Sequence, residues 1–148
     1  MVCIMRSPST GDADHLDSAT NRCVGIAKHL GFGSLSIVNL FASTEMDTAI
    51  DKGINADFVG PQNREYFQNI LSEDSTIVLA WGNNIPNVLG RNEMMHWLKV
   101  KDFPYFSFGL TAKHQPKNPL YLALADVALY STKIQEVGTS YQCLIQTK

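Results

Sequence analysis

Cysteine is scarce in this chain of 148 residues, and the three that occur, Cys3, Cys23 and Cys143, are far apart. Their odd number and the lack of any Cys-x-x-Cys pair argue against a disulfide framework and against a zinc site. We therefore predict reduced, mostly buried thiols and no metal site. Charge of either sign is modest too, since 12 basic and 14 acidic residues leave a net charge of −2. This balance gives no bulk signal for a nucleic-acid-binding protein.

Long apolar runs are missing as well. None approaches the roughly 18 residues that a membrane-spanning helix needs, and the region around Arg6 and Pro8 lacks the apolar core of a signal peptide. We therefore expect a cytoplasmic protein without membrane contact. Apolar residues nevertheless make up 45% of the chain, the proportion of a globular protein with a sizeable core. The length predicts a single domain over residues 1–148.

Apolar runs that suit buried strands alternate with segments of helical periodicity. The predicted strands are Val2–Met5, Leu35–Leu40, Thr76–Trp81 and Tyr105–Phe108, and the predicted helices run from Asp17 or Ser18 to Leu30, from Pro61 to Leu71 and over about Val88–Val100. Segment 41–57 is predicted to be a loop with one helical turn, and segment 120–148 to hold a helical turn and then a strand at Tyr141–Ile145. This order is typical of a three-layer α/β/α fold with a central, mostly parallel four-stranded sheet of Rossmann-like type.

Each predicted strand ends in, or runs into, polar or glycine-rich residues. They are Ser7-Pro8-Ser9-Thr10, Asn39, Trp81-Gly82-Asn83-Asn84, and the segment from Gly109 and Thr111 to Lys117-Asn118-Pro119. Ligands of open α/β sheets bind outside the carboxyl ends of the strands, so we expect these segments to converge on a site. Each has an ordinary structural reading beside this one, because hydroxyl and amide side chains also satisfy turn backbone.

Recognisable catalytic or cofactor motifs do not occur in the chain. There is no Gly-x-Gly-x-x-Gly, no Gly-x-Ser-x-Gly and no P-loop, so no cofactor is predicted. Asp12, Asp14 and Asp17 are oxygen-bearing residues of the kind that bind hard cations, but the full calcium pattern is lacking and a solvated acidic loop is the better interpretation. His15 and His114 lie in predicted loops without an identified partner.

A set of short motifs resembles a known family. In chain order they are Ser7-Pro8-Ser9-Thr10, Asp17 with Thr20 and Arg22, Val38-Asn39-Leu40-Phe41-Ala42, Gly60-Pro61 with Asn63, Ala80-Trp81-Gly82, and Lys117-Asn118-Pro119-Leu120-Tyr121-Leu122. This order over residues 2–122 is similar to the bacterial and phage domain-of-unknown-function family 1643. The resemblance implies no firmly assigned activity, and it leaves residues 123–148 as a C-terminal extension.

The motif order is also distantly similar to the uracil-DNA glycosylase superfamily. That resemblance places Ser7 at the water-activating position, Asn39 at the base-reading position and Asn118 at the position of a histidine that stabilises the departing base. It implies a nucleobase, nucleotide or modified DNA as ligand, held by an extruded-base pocket. The residues expected to bind it are Ser9, Thr10, Asn39, Phe41, Trp81, Lys113, His114 and Lys117, with Ser7 and Asn118 as the catalytic pair.

Two departures from that superfamily leave the function open. Ser7 replaces a better water-activating side chain, and Asn118 cannot titrate as a histidine does. The chain is therefore expected to be a nucleobase- or nucleotide-binding protein, with N-glycosylase activity that is divergent or lost. The alternatives are a non-enzymatic interaction protein with a protein partner, on the same fold, and an unrelated small-molecule enzyme, because fold does not fix function.

Overall fold

Helices and strands alternate through the computed structural model, which describes residues 1–9 and 14–147. Thr10 and Asp12 of the sequence predictions lie outside the described residues. The elements are β1 (Val2–Met5), α1 (Ser18–His29), β2 (Ser36–Asn39), α2 (Met46–Asp51), α3 (Pro61–Ile70), β3 (Ile77–Leu79), α4 (Arg91–Lys101), β4 (Tyr105–Ser107), β5 (Tyr130–Val137) and β6 (Ser140–Ile145). Two short 3₁₀ turns, Pro119–Tyr121 and Leu124–Asp126, connect β4 to β5.

The strands form one sheet in the order β2-β1-β3-β4-β5-β6. Pairing is parallel from β2 to β4, whereas β5 runs antiparallel to both β4 and β6. The predicted α/β class is confirmed, but the predicted four-stranded, mostly parallel sheet is wrong, because the described residues form a mixed sheet of six strands. The missing strand was β5, whose eight residues bury only Thr132 and Ile134 and so show little apolar signal.

A glycine turn explains how the C-terminal hairpin forms. Val137 pairs with Ser140 across the two-residue loop Gly138-Thr139, and Gly138 has a φ of +61°. Glycine at the first position of a two-residue loop is the pattern of a tight hairpin turn. The hairpin brings Ile134 and Cys143 into the core, so the segment beyond the parallel strands completes the sheet.

Apolar side chains cover both faces of the parallel strands. Ile4 and Leu79 point to a core shared with α2, α3 and α4, whereas Cys3 and Val78 point to a second core built against α1. Successive strand residues face opposite sides, so strands buried on both faces need the continuous apolar runs that the sequence shows. The three cysteine thiols are free and buried, as predicted.

The predicted starts of α1 and α3 agree with the structure, whereas the predicted start of α4 does not. Asp17 caps α1 through hydrogen bonds from the backbone of Ala19 and Thr20, and Pro61 is the first residue of α3. Helix α4 begins at Arg91, three residues later than predicted, because Gly90 before it has a φ of +87°. Segment 41–57 contains the six-residue helix α2.

The strand order defines where a ligand would sit. The chain leaves β1 for β2 on one side and then crosses back to β3 on the other side of β1. Between the carboxyl ends of β1 and β3 the loops therefore diverge and leave a crevice, which is the usual ligand position in open parallel sheets. No helix within the described ranges combines the length and apolar character needed to cross a lipid bilayer.

Candidate functional site

An open cleft of about 520 Å³ lies at this crevice between β1 and β3. We call it the switch-point cleft. Arg6 follows β1, and the segment Trp81-Gly82-Asn83-Asn84 follows β3, so the strand ends supply two of its walls. The remaining lining residues are Asp47, Thr111, Asn118 and Tyr121. Its volume is within the range of small-molecule sites.

Arg6 links three walls of the cleft. Its Nε donates to the backbone carbonyl of Asn84 at 2.5 Å, and its Nη1 donates to Asp47 Oδ2 at 3.1 Å and to Ser7 Oγ at 3.4 Å. A second, shorter hydrogen bond joins Arg6 Nη2 to Asp47 Oδ1, so the two side chains form a bidentate ion pair. Hydrogen bonding from the guanidinium lowers the pKa of Asp47 and outweighs the opposing effect of desolvation. The pair leaves the cleft close to neutral.

Trp81 forms a rigid part of the cleft floor. Its side chain is almost completely buried, and its indole N–H donates to Gln115 Oε1 at 3.0 Å. Gln115 in turn donates through Nε2 to the backbone carbonyl of Tyr141 in β6 at 2.8 Å. The C-terminal hairpin thus helps to hold the indole in place.

Asn118 stands opposite Gly82, in the segment that follows β3. Its Oδ1 accepts a hydrogen bond from the backbone N–H of Leu120 at 2.9 Å and so caps the 3₁₀ turn that carries Tyr121. Gly82 has a φ of +78°, and a Cβ atom there would lie 3.5 Å from the Cβ of Asn118. The positive φ therefore favours glycine at this turn, whereas the distance to Asn118 is an ordinary van der Waals contact. Tyr121, at 85% exposure, projects at the cleft mouth.

Ser7 and Asn39 line a different and much smaller cavity of about 60 Å³. We call it the strand-end cavity. It lies between the ends of β1 and β2 and the first turn of α1, and its lining includes Ser9 and Asp17. The backbone carbonyl of Asn39 accepts a bond of 2.9 Å from Asn63 Nδ2. The side chain of Asn39 makes no hydrogen bond within the described ranges, so its amide is available to a ligand.

The carboxylate of Asp17 is the charged group of this small cavity. Partial desolvation raises its pKa, but hydrogen bonds from Ser9, from the Thr20 side chain and from the backbone of Thr20 and Ala19 outweigh it, and the pKa falls to about 2. Asp17 is therefore ionised at neutral pH, fixed as a helix cap and unsuited to act as a general base.

The structure brings some of the predicted site residues together and separates others. Trp81 and Asn118 line the switch-point cleft, whereas Ser7, Ser9 and Asn39 line the strand-end cavity. The Arg6–Ser7 contact connects the two hollows. Ser7, Asn39 and Asn118 therefore do not share one cavity.

The other predicted binding residues lie outside both hollows. Phe41 is 1% exposed and packs in the core. Lys113, His114 and Lys117 are exposed in the loop before Asn118, with the Lys117 stem beside Gly109. The backbone carbonyl of His114 accepts a bond from Cys143 N, which ties this loop to β6.

Sequence reasoning missed three residues that line the cleft. Arg6 is the first charged residue after an apolar strand, a position that itself indicates the ligand edge of the sheet. Tyr121 follows the Asn-Pro pair, but nothing in the sequence shows that it is exposed. Asp47 lies in segment 41–57, where no periodic pattern of apolar residues indicates how the chain packs.

The fold and the cleft define an α/β protein with a ligand-sized crevice at the switch point of its parallel strands. Within that class, residues 1–120 match the family described as "Protein of unknown function (DUF1643)", and the chain belongs to this family. The family predicted from the motifs is thereby confirmed. No curated protein and no solved structure matches the chain.

Proposed function

We propose that the chain binds a nucleobase or nucleotide in the switch-point cleft, as a divergent relative of the uracil-DNA glycosylase superfamily. The observation that carries the proposal is the cleft itself: an open crevice of about 520 Å³ that joins aromatic and amide side chains at the switch point of the sheet. A base could lie against the exposed ring of Tyr121, because stacking on an aromatic ring contributes roughly 1–3 kcal/mol per base. Asn83 and Asn118 would then read its polar edge.

Excision of the base is proposed to be slow or lost. Ser7 Oγ has only Arg6 within hydrogen-bond distance among the described residues, and a hydroxyl without a basic partner is a poor base. Asn118 can donate a hydrogen bond to a departing base but cannot take up its charge. The two residues also line separate hollows, which does not favour their joint action on one bond.

Binding is tested by calorimetric titration of the protein with nucleosides and nucleoside monophosphates. We expect saturable binding by the wild type and a loss of about tenfold or more in affinity in Tyr121→Ala, from the stacking energy above. Tyr66→Ala is the matched control, because Tyr66 is an exposed tyrosine on α3 outside both hollows. Equal affinities for wild type and Tyr121→Ala would contradict the proposed site.

Divergent catalysis is tested by restoring the residues of the superfamily. If the scaffold has kept its geometry, the double variant Ser7→Asn with Asn118→His will release bases from DNA containing modified bases faster than the wild type. The measurement is strand scission at abasic sites in labelled oligonucleotides. If the double variant folds and binds as the wild type does but releases no base, the glycosylase relationship loses its catalytic support.

The alternative function is a non-enzymatic interaction protein. The observation that favours it is the position of β6 at the edge of the sheet, where its outer side has no strand partner among the described residues. An exposed strand edge can pair with an extended segment of another protein. This alternative predicts no saturable binding of nucleosides, so the calorimetric titration separates the two.

A further inference from the structure

A smaller hollow of about 130 Å³ lies beside the switch-point cleft, between α4 and the C-terminal hairpin. We call it the α4–β6 pocket. Arg91 and Met95 line it from α4, and Ser140 and Tyr141 line it from β6. The rest of the lining is Asn83, Ile85 and Gln115. Because Asn83 also lines the switch-point cleft, the two hollows are neighbours. The pocket is smaller than sites that enclose drug-sized molecules, so it suits one small chemical group.

Arg91 is the charged group of this pocket, and neutral oxygens hold it in place. Its Nε and Nη2 donate to Asn92 Oδ1 at 3.0 and 2.9 Å, and Nη2 also donates to the backbone carbonyl of Thr139 at 3.1 Å. Nη1 makes no hydrogen bond within the described residues, and no carboxylate among them forms an ion pair with Arg91. In that part of the chain, the guanidinium keeps two free N–H groups and a positive charge without a counter-ion.

The neutral polar groups of the pocket can also donate. Gln115 has a fixed orientation, because its Oε1 accepts from the Trp81 indole and its Nε2 donates one of two hydrogens to the Tyr141 carbonyl. The hydroxyls of Ser140 and Tyr141 make no hydrogen bond to the residues that the structure describes, and none of the described lining residues is acidic. The pocket thus offers donors from α4, from β6 and from the loop of Gln115.

We propose that the α4–β6 pocket is a phosphate subsite. A phosphate group has three strong acceptor oxygens and nearly two negative charges at neutral pH, so it can accept from donors that approach from several directions. A carboxylate has two oxygens in one plane and would leave part of this donor set unpaired. The hydrogen bonds from Arg91 would be charge-assisted, which are the stronger kind.

The phosphate has two possible sources, which are inorganic phosphate and a phosphate monoester. The position of Asn83 between the two hollows favours a monoester whose base lies in the switch-point cleft and whose phosphate meets Arg91. This choice of source rests on the proposed function, whereas the phosphate subsite itself does not. The preferred ligand is then a nucleoside monophosphate.

The subsite is tested by calorimetric titration with inorganic phosphate at constant ionic strength, so that charge screening does not vary. The wild type is expected to bind saturably, and Arg91→Gln to lose about tenfold or more in affinity. Lys28→Gln is the control, because it removes a positive charge from an exposed residue of α1 outside every hollow named above, and it should bind as the wild type does.

A second variant covers the chance that Arg91→Gln unfolds when it loses its contact with Thr139. Tyr141→Phe removes only a hydroxyl that makes no hydrogen bond to the described residues, so it should fold normally and bind phosphate roughly threefold or more weakly. Thermal unfolding checks that each variant is folded. If inorganic phosphate does not bind, or binds the folded variants as tightly as the wild type, the subsite is overturned even where nucleosides bind.

The source of the phosphate is tested by comparing uridine with its 5′- and 3′-monophosphates. One monophosphate is expected to bind the wild type about tenfold more tightly than uridine, and Arg91→Gln should abolish this advantage while leaving uridine binding unchanged. If inorganic phosphate binds through Arg91 but no nucleoside binds, the proposed function fails and the subsite stands for inorganic phosphate. If uridine binds and neither monophosphate binds more tightly, the proposed function stands and the shared ligand is overturned.

Discussion

Asp17 shows how one side chain couples structure to pH. It caps α1, accepts the hydroxyl of Thr20 at 2.6 Å and lines the strand-end cavity. The low pKa of Asp17 therefore reflects its structural role as a helix cap in the folded state, although it lies beside the predicted site residues Ser7 and Asn39.

The variant Asp17→Asn should remove this pH dependence while keeping a capping oxygen. The folded pKa of about 2 lies below that of an unfolded aspartate, so the stabilisation is present above about pH 5 and is lost as the pH falls toward 2. We expect the difference in free energy of unfolding between wild type and Asp17→Asn to shrink over that interval, measured by urea denaturation. Asp17→Ala should cost about 1 kcal/mol at neutral pH through loss of the cap. A pH-independent difference for Asp17→Asn would contradict this assignment.

At the same scale, the sequence located polar residues at the strand ends but not their partners. Ser7 was placed correctly after β1 and Asn39 at the end of β2, because a continuous apolar run makes a strand end easy to read. Their separation from Asn118 could not be read from sequence, since it depends on the long connection from β4 and on the cap that Asn118 provides. Side-chain contacts between distant loops have no periodic signal.

Among the elements, α4 is fixed to α3 by a charged cross-link and a close glycine contact. Arg64 on α3 bonds both Asp57 at 2.7 Å and Glu93 on α4 at 2.9 Å. Both carboxylates are well exposed, so we expect the ion pairs to contribute modestly. Gly90 lies against this cluster, and a Cβ atom there would be 2.7 Å from Val59 Cγ2.

Gly90→Ala should therefore destabilise the protein much more than Gly53→Ala. Both glycines have positive φ, at +87° and +73°, so both alanines suffer backbone strain of roughly 1–2 kcal/mol. Only Gly90 has a buried neighbour in the way, and crowding of this kind costs roughly 1–3 kcal/mol more. Chemical denaturation of the two variants measures the difference. Equal losses of stability would show that α4 is not held by this contact.

The same glycine explains an error in the predicted elements. Helical periodicity extended back to Val88, but the left-handed backbone of Gly90 separates that turn from α4. A glycine inside an apolar pattern is readable as a possible helix boundary, but neither its positive φ angle nor its contact with Val59 and Arg64 can be read from the sequence.

At the scale of the whole molecule, the C-terminal hairpin of β5 and β6 is an integral part of the sheet and of the core. The family match ends at residue 120, but β5 pairs with β4, and β6 supports Gln115 and the loop of His114. The sequence predicted β6 but not β5. Only Thr132 and Ile134 of β5 are buried, so its residues show no clear alternation of apolar and polar side chains.

Removal of residues 130–148 should therefore damage both stability and the cleft. The deletion uncovers β4 and takes Ile134 and Cys143 out of the core, and burial of one such side chain is worth roughly 1.5–3 kcal/mol. We expect a loss of several kcal/mol in the free energy of unfolding, together with weaker nucleoside binding as Gln115 loses its support. Removal of residues 147–148 alone is the control and should change neither. Full stability in the longer deletion would show that the hairpin is dispensable.

The central claim is that the crevice between β1 and β3 is a nucleoside site, and a nuclear magnetic resonance titration tests it most directly. Backbone amide shifts of the labelled protein are followed as uridine or inosine is added. The account predicts saturable shifts concentrated at Gly82, Asn83, Asn84, Leu120 and Tyr121, with the exposed end of α3 unchanged. Saturable shifts confined to another surface, or no shifts at millimolar nucleoside, would contradict it.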